Sequence, residues 1–99
     1  MMVLPADIAR YVVRTFGTSD QATVLELLSH AVIHDGQPAG ARLMRCALIA
    51  SGGTLLGLVS QLDQLKVDYR DVIVAGEYLP KAGNLVRIRN LNEPINDEA

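Results

Sequence analysis

The sequence has no tryptophan, one cysteine and only four aromatic side chains in 99 residues: Tyr11, Phe16, Tyr69 and Tyr78. With Cys46 alone, no internal disulfide can form, which fits a reducing cytoplasm and excludes a disulfide scaffold. So few rings cannot build a stacking platform for single-stranded nucleic acid. A charge excess is also missing. Nine basic residues face eleven acidic ones, whereas phosphate-binding domains carry a basic surplus or stripe.

Long hydrophobic runs are absent as well. The longest uncharged stretch, residues 46–62, is broken by Gly52-Gly53 and dotted with Ser, Thr and Gln. It reads as helix, turn and helix rather than a membrane span. The first ten residues lack the basic and long apolar regions of a signal peptide, so a cytoplasmic location with no membrane partner is expected. No P-loop, dinucleotide fingerprint, nucleophile elbow or calcium loop is present, and no cofactor is implied by motif.

What the sequence does have is apolar content, 49% of its residues. A single domain covering residues 1–99 has only a small core in which to hide it, and self-association or a protein partner is the expected outlet. The periodicity is helical for most of the chain, with helices expected near residues 5–16, 19–35, 38–51, 54–66 and 68–78. Pro5 suits a first turn, and Thr18 with Gln21 has capping-box spacing. Asp35-Gly36 reads as a helix stop, and Ser51-Gly52-Gly53-Thr54 as a turn and cap.

Asp68 has the setting of an N-cap, with Val67 and Val72 spaced as a hydrophobic staple. Pro80 ends that last helix. Residues 81–99 are expected to form a tail, with 86–89 alternating like a strand, Leu85, Ile88 and Leu91 equally well spaced for a helical turn, and 96–99 frayed. A strand there would need a partner across a dimer or on another protein. The fold class expected is all-α, with four to five short helices in a bundle-like or orthogonal pack and a C-terminal extended strap or short strand.

Several side-chain sets deserve a chemical reading. Glu26, His30 and His34 are spaced i, i+4, i+8, which on a continuous helix puts three metal-ligand types on one face. Zinc is the ion that set would suit, and a small metal-binding sensor or enzyme is the corresponding function. The competing reading is a solvated polar face. Leu55, Leu58, Leu62 and Leu65 make a seam too short for a free coiled coil, destined for the core or for an interface. Val74 and Tyr78 add a second apolar strip with the same two destinations.

Asp68, Asp71 and Glu77 are dense in carboxylate, but at about 100° per residue Asp71 and Glu77 diverge. They do not form the converging pair that acid–base catalysis requires. Arg42, Arg45, Arg87 and Arg89 either line an anion pocket or pair with acids. Cys46, set among apolar neighbours, reads as an inert thiol. A helix-turn-helix over residues 47–65 fails chemically, because the would-be recognition helix starts Thr54-Leu55-Leu56-Gly57-Leu58 with no base-reading side chains. The reading that follows is a non-enzymatic interaction module that self-associates or binds a protein partner through apolar helix faces.

Overall fold

The computed structural model describes residues 4–95. Four helices, α1 (Ala6–Thr15), α2 (Thr18–Ser29), α3 (Ala41–Ala50) and α4 (Leu55–Glu77), are followed by a two-stranded antiparallel hairpin, β1 (Tyr78–Lys81) and β2 (Asn84–Arg87). The mainly helical architecture matches the expectation. The expected fraying of residues 96–99 lies outside the described residues.

The expected helices at 54–66 and 68–78 are one helical run bent at Asp68, whose φ of −158° and ψ of 103° leave the helical region. Asp68 caps the second half as expected, accepting a hydrogen bond from the Arg70 N–H at 3.0 Å. The Arg70 guanidinium binds the same carboxylate and holds its pKa below the usual range. Asp71 accepts from the Gln64 amide across the bend. The staple does not form, because Val67 is 74% exposed while Val72 is buried. Thr54 caps the first half, accepting from the Gly57 N–H at 3.0 Å.

Two other boundaries differ from the sequence pattern. α2 ends at Ser29, not residue 35, because the chain closes a small loop there: Val32 bridges Pro38, Ile33 N–H donates to Gln37 O, and Ala39 N–H donates to Ala31 O. Asp35-Gly36, with Gly36 at φ 84°, is the tip of that loop. Pro38 and Ala39 are spent in it, so α3 starts at Ala41. The Thr18–Gln21 capping box is also absent, since Gly17 holds the N-cap position. Gln21 instead donates to the carbonyls of Val13 and Phe16, tying the end of α1 to α2.

The core draws on every helix: Ile8 and Val12, Val24 and Leu28, Met44 and Leu48, then Leu58, Leu65 and Val72 are all buried. α3 packs chiefly against α4. Their crossing depends on Gly76, because a Cβ there would lie 2.6 Å from Cys46 Cα and 2.9 Å from its carbonyl oxygen. Backbone cannot yield as a side-chain tip can. Gly76→Ala is therefore expected to lower stability by about 1–3 kcal/mol, measured by urea unfolding.

The last strand finds its partner in its own neighbour. Tyr78 pairs with Arg87, Leu79 with Val86, Pro80 with Leu85 and Lys81 with Asn84, so no second chain is needed to form it. The two-residue loop has both residues at positive φ, Ala82 at 50° and Gly83 at 82°, the geometry of a type I′ turn. Alanine tolerates this conformation poorly. Ala82→Asn supplies the preferred Asn-Gly pair and should stabilise the protein by about 0.5–1 kcal/mol in thermal unfolding.

Candidate functional site

Beyond the hairpin the tail returns to the bundle, where Leu91 and Ile95 are buried. Two buried carboxylates, Glu77 and Asp7, hold it there through three ion pairs. Glu77, at the last turn of α4, has no solvent exposure and satisfies its carboxylate completely. Arg42 from α3 grips it with two parallel bonds, Nε to Oε2 and Nη2 to Oε1, both 2.9 Å. Arg87 Nε, from β2, donates to Oε1 at 3.0 Å, and the Leu91 N–H donates to Oε2 at 3.1 Å. The Glu77 backbone carbonyl accepts from the Ile88 N–H, and Arg89 Nη1 donates to the Gly76 carbonyl.

Arg42 is the largest influence on Glu77. It outweighs burial and, with the Leu91 amide and Arg87, brings the carboxyl pKa down to about 2.

The second carboxylate links the start of the chain to its end. Arg45 Nε and Nη2 donate to the two oxygens of Asp7 at 2.9 and 3.1 Å. Asp7 also accepts from the Ile95 N–H at 2.9 Å. Burial works to raise the Asp7 pKa, but Arg45 and the Ile95 amide together hold it below the usual carboxylate range. Arg45 Nη1 donates to the Leu91 carbonyl at 3.2 Å. Leu91 thus joins the two sites, its N–H on Glu77 and its carbonyl on Arg45. Among the described residues no buried side-chain nitrogen or oxygen lacks a hydrogen-bond partner.

Around this anchor the hairpin itself stays outside. Leu79, Leu85 and Val86 are 47%, 58% and 40% exposed, and every residue of β2 is exposed. The hairpin is thus an apolar element tied at its base whose Leu79, Leu85 and Val86 lie outside the core.

No protein-family model matches this chain, and neither a curated protein nor a solved structure resembles it. The reading of the site therefore rests on its own chemistry.

The structure separates the three metal-ligand candidates. Glu26 is exposed on α2, whereas His30 is already past the helix as its C-cap and His34 lies in the loop beyond. The shared helical face does not exist, because α2 stops at Ser29. His30 borders a cleft of about 250 Å³ with Val59, Asp63 and Lys66, while His34 borders another with Asp68 and Arg70. Among the described residues no group of three or more His, Cys, Asp or Glu could hold a metal ion.

Of the candidate interface residues, Leu58, Leu62 and Leu65 are buried in the protomer's own core and Leu55 is half-buried against it. They form the inward face of α4. Val74 is 37% exposed and Tyr78 half-buried, so that strip reaches the surface beside the hairpin.

Burial is the main cause of the high pKa of Cys46, and the nearby Glu77 carboxylate adds to it, pushing the thiol up to about 12. At neutral pH the buried thiol stays protonated, which makes it a poor nucleophile. Among the described residues no helix is long and apolar enough to cross a membrane.

Sequence reasoning weighed Glu77 as a catalytic acid and did not foresee its role as anchor. The available signal was its place one turn beyond Ile73, on the flank of the apolar face of α4, with arginines ten and twelve residues downstream.

Proposed function

We propose that this chain is a non-enzymatic protein–protein interaction module whose contact element is the C-terminal hairpin, with Val74 and Tyr78 extending the surface onto α4. One observation carries the reading. Two buried, fully hydrogen-bonded carboxylates, Glu77 with Arg42 and Arg87 and Asp7 with Arg45, fix the base of an element whose own apolar side chains remain partly in solvent. Buried ion pairs contribute little net stability compared with apolar packing of the same volume. They define a position well, because misplacing either partner leaves a charge unpaired in the interior. A rigid, pre-positioned apolar surface loses little entropy on binding, which favours its use as a docking element. The expected apolar helix seam is thereby replaced as the contact surface by the hairpin.

The reading is tested by placing a photo-crosslinking amino acid at Val86 and, separately, at Thr23, which is exposed on α2. Irradiation in the cells that express the protein should give a discrete adduct from position 86 and none from position 23. Equal labelling, or none from either, would contradict the reading.

A further inference from the structure

The two edges of the hairpin are not equivalent. Lys81 and Asn84 flank the two-residue loop, and such a pair exchanges both inter-strand hydrogen bonds. Bonding pairs alternate along an antiparallel ladder, so Leu79–Val86 bond to each other, while Pro80–Leu85 and Tyr78–Arg87 aim their backbone groups outward. On the β1 edge these outward donors are missing. Pro80 has no N–H, and the Tyr78 N–H is already given to the Val74 carbonyl at the end of α4. On the β2 edge, Leu85 and Arg87 keep their outward N–H and C=O groups, and no backbone partner from the described residues meets them. Sheets normally blunt such an edge with proline, a bulge or a covering element. Here only β1 is blunted.

Charge indicates what the open edge accepts. From Tyr78 to Asn92 the chain carries Lys81, Arg87 and Arg89 and no acidic residue. Lys81, Arg87 and Arg89 are exposed. The neighbouring carboxylate, Glu77, is buried and saturated by Arg42, Arg87 and the Leu91 amide. Arg87 is paired with Glu77, whereas Lys81 and Arg89 have no acidic partner among the described residues, so pairing of two copies through β2 would bring these like charges together at a cost in free energy.

We propose that the free edge of β2 takes up an extended acidic segment of a partner protein as a third strand. The proposal rests on the interaction reading above and names the partner's chemistry: backbone groups that complete the ladder at Leu85 and Arg87, and carboxylates drawn by the charges of Lys81 and Arg89, which no acid of the described residues pairs. This is strand addition to a sheet edge, in which main-chain bonds provide affinity and side chains provide selectivity.

The test uses the full chain, labelled with nitrogen-15, and two synthetic octapeptides, one alternating valine with glutamate and one alternating valine with lysine. The glutamate peptide should shift the Leu85 and Arg87 amides saturably and slow their hydrogen exchange. The lysine peptide should bind at least ~10-fold more weakly, and the difference should shrink as salt screens it. Leu85→Pro removes a donor that the hairpin does not use internally, just as Pro80 does on the other edge. It should abolish peptide binding while the amide spectrum of α1–α4 stays unchanged. The double variant Lys81→Glu/Arg89→Glu leaves the ladder intact and should reverse the preference toward the lysine peptide.

Absence of binding by both peptides, equal binding by both, or binding that survives Leu85→Pro would overturn the proposal. So would slow exchange at Leu85 and Arg87 in a peptide-free dimer, since the edge would then belong to a second copy. A crosslinked partner at Val86 combined with any of these results would leave the interaction reading standing and remove only the acidic-strand mode.

Discussion

Glu77→Gln is expected to lower the unfolding free energy by about 3–5 kcal/mol, read from urea denaturation at pH 7. The substitution keeps the shape of the side chain and removes its charge. Among the described residues Arg42 bonds to Glu77 alone, so it then loses its counter-ion at the edge of the core, and Arg87 is left with Asn90. Domains of this size have about 5–15 kcal/mol in total, so the loss would be a large part of it. The tail should suffer first, because the Leu91 N–H would compete with Arg42 and Arg87 for the single oxygen that glutamine retains.

The same anchor sets an acid limit. In the folded protein the Glu77 pKa is about 2, lowered from an ordinary 4.5. A carboxyl whose folded pKa is depressed contributes stability that is fully present above its unfolded pKa and is lost as pH falls toward the folded one. The urea midpoint should therefore hold down to about pH 4.5 and fall steadily between there and pH 2. The Glu77→Gln variant should lack most of that fall. A wild-type midpoint indifferent to pH over this window would contradict the assigned pairing.

Asp7→Asn is the second large effect, with about 3 kcal/mol expected by the same measurement. Arg45 is buried and loses its charge partner, and the Ile95 N–H loses part of its acceptor strength. The two substitutions should also interact. Leu91 binds Glu77 through its N–H and Arg45 through its carbonyl, so releasing the tail at one pair already removes part of what the other holds. The Asp7→Asn/Glu77→Gln double variant should lose less than the sum of the singles, with a coupling of about 1 kcal/mol or more. Strict additivity would show that the two pairs act independently and that Leu91 does not link them.

Local signals in the sequence located most of the framework. Thr54 and Asp68 mark helix starts through their own side chains, and both cap in the structure. The Leu58–Leu62–Leu65 seam runs at helical spacing and lands in the core. Features that depend on distant contacts were not legible. The helical pattern of α2 continues to residue 35, yet the backbone pairing of Val32 with Pro38 competes with it and wins. That early stop dissolves the shared face of Glu26, His30 and His34.

The hairpin was half visible. The alternation at residues 86–89 is apparent in the sequence, but its partner is hidden because Tyr78 and Leu79 read as the end of a helix. The anchor was hidden for a different reason. One carboxylate among eleven acids acquires its meaning only when α3, β2 and the tail bring their donors to it. Three of the four arginines pair with acids, Arg42 and Arg87 with Glu77 and Arg45 with Asp7, while Arg89 donates to the Gly76 carbonyl.

On the function proposed above, the hairpin's apolar side chains serve contact with another protein and not the fold. The most direct measurement is the thermal unfolding of the triple variant Leu79→Thr/Leu85→Thr/Val86→Thr, which keeps strand propensity and removes the apolar surface. Because these side chains are exposed, the melting temperature should stay within about 5 °C of the parent. A fall well beyond that, with loss of helical signal, would show that the hairpin is part of what holds the fold together and would contradict the account.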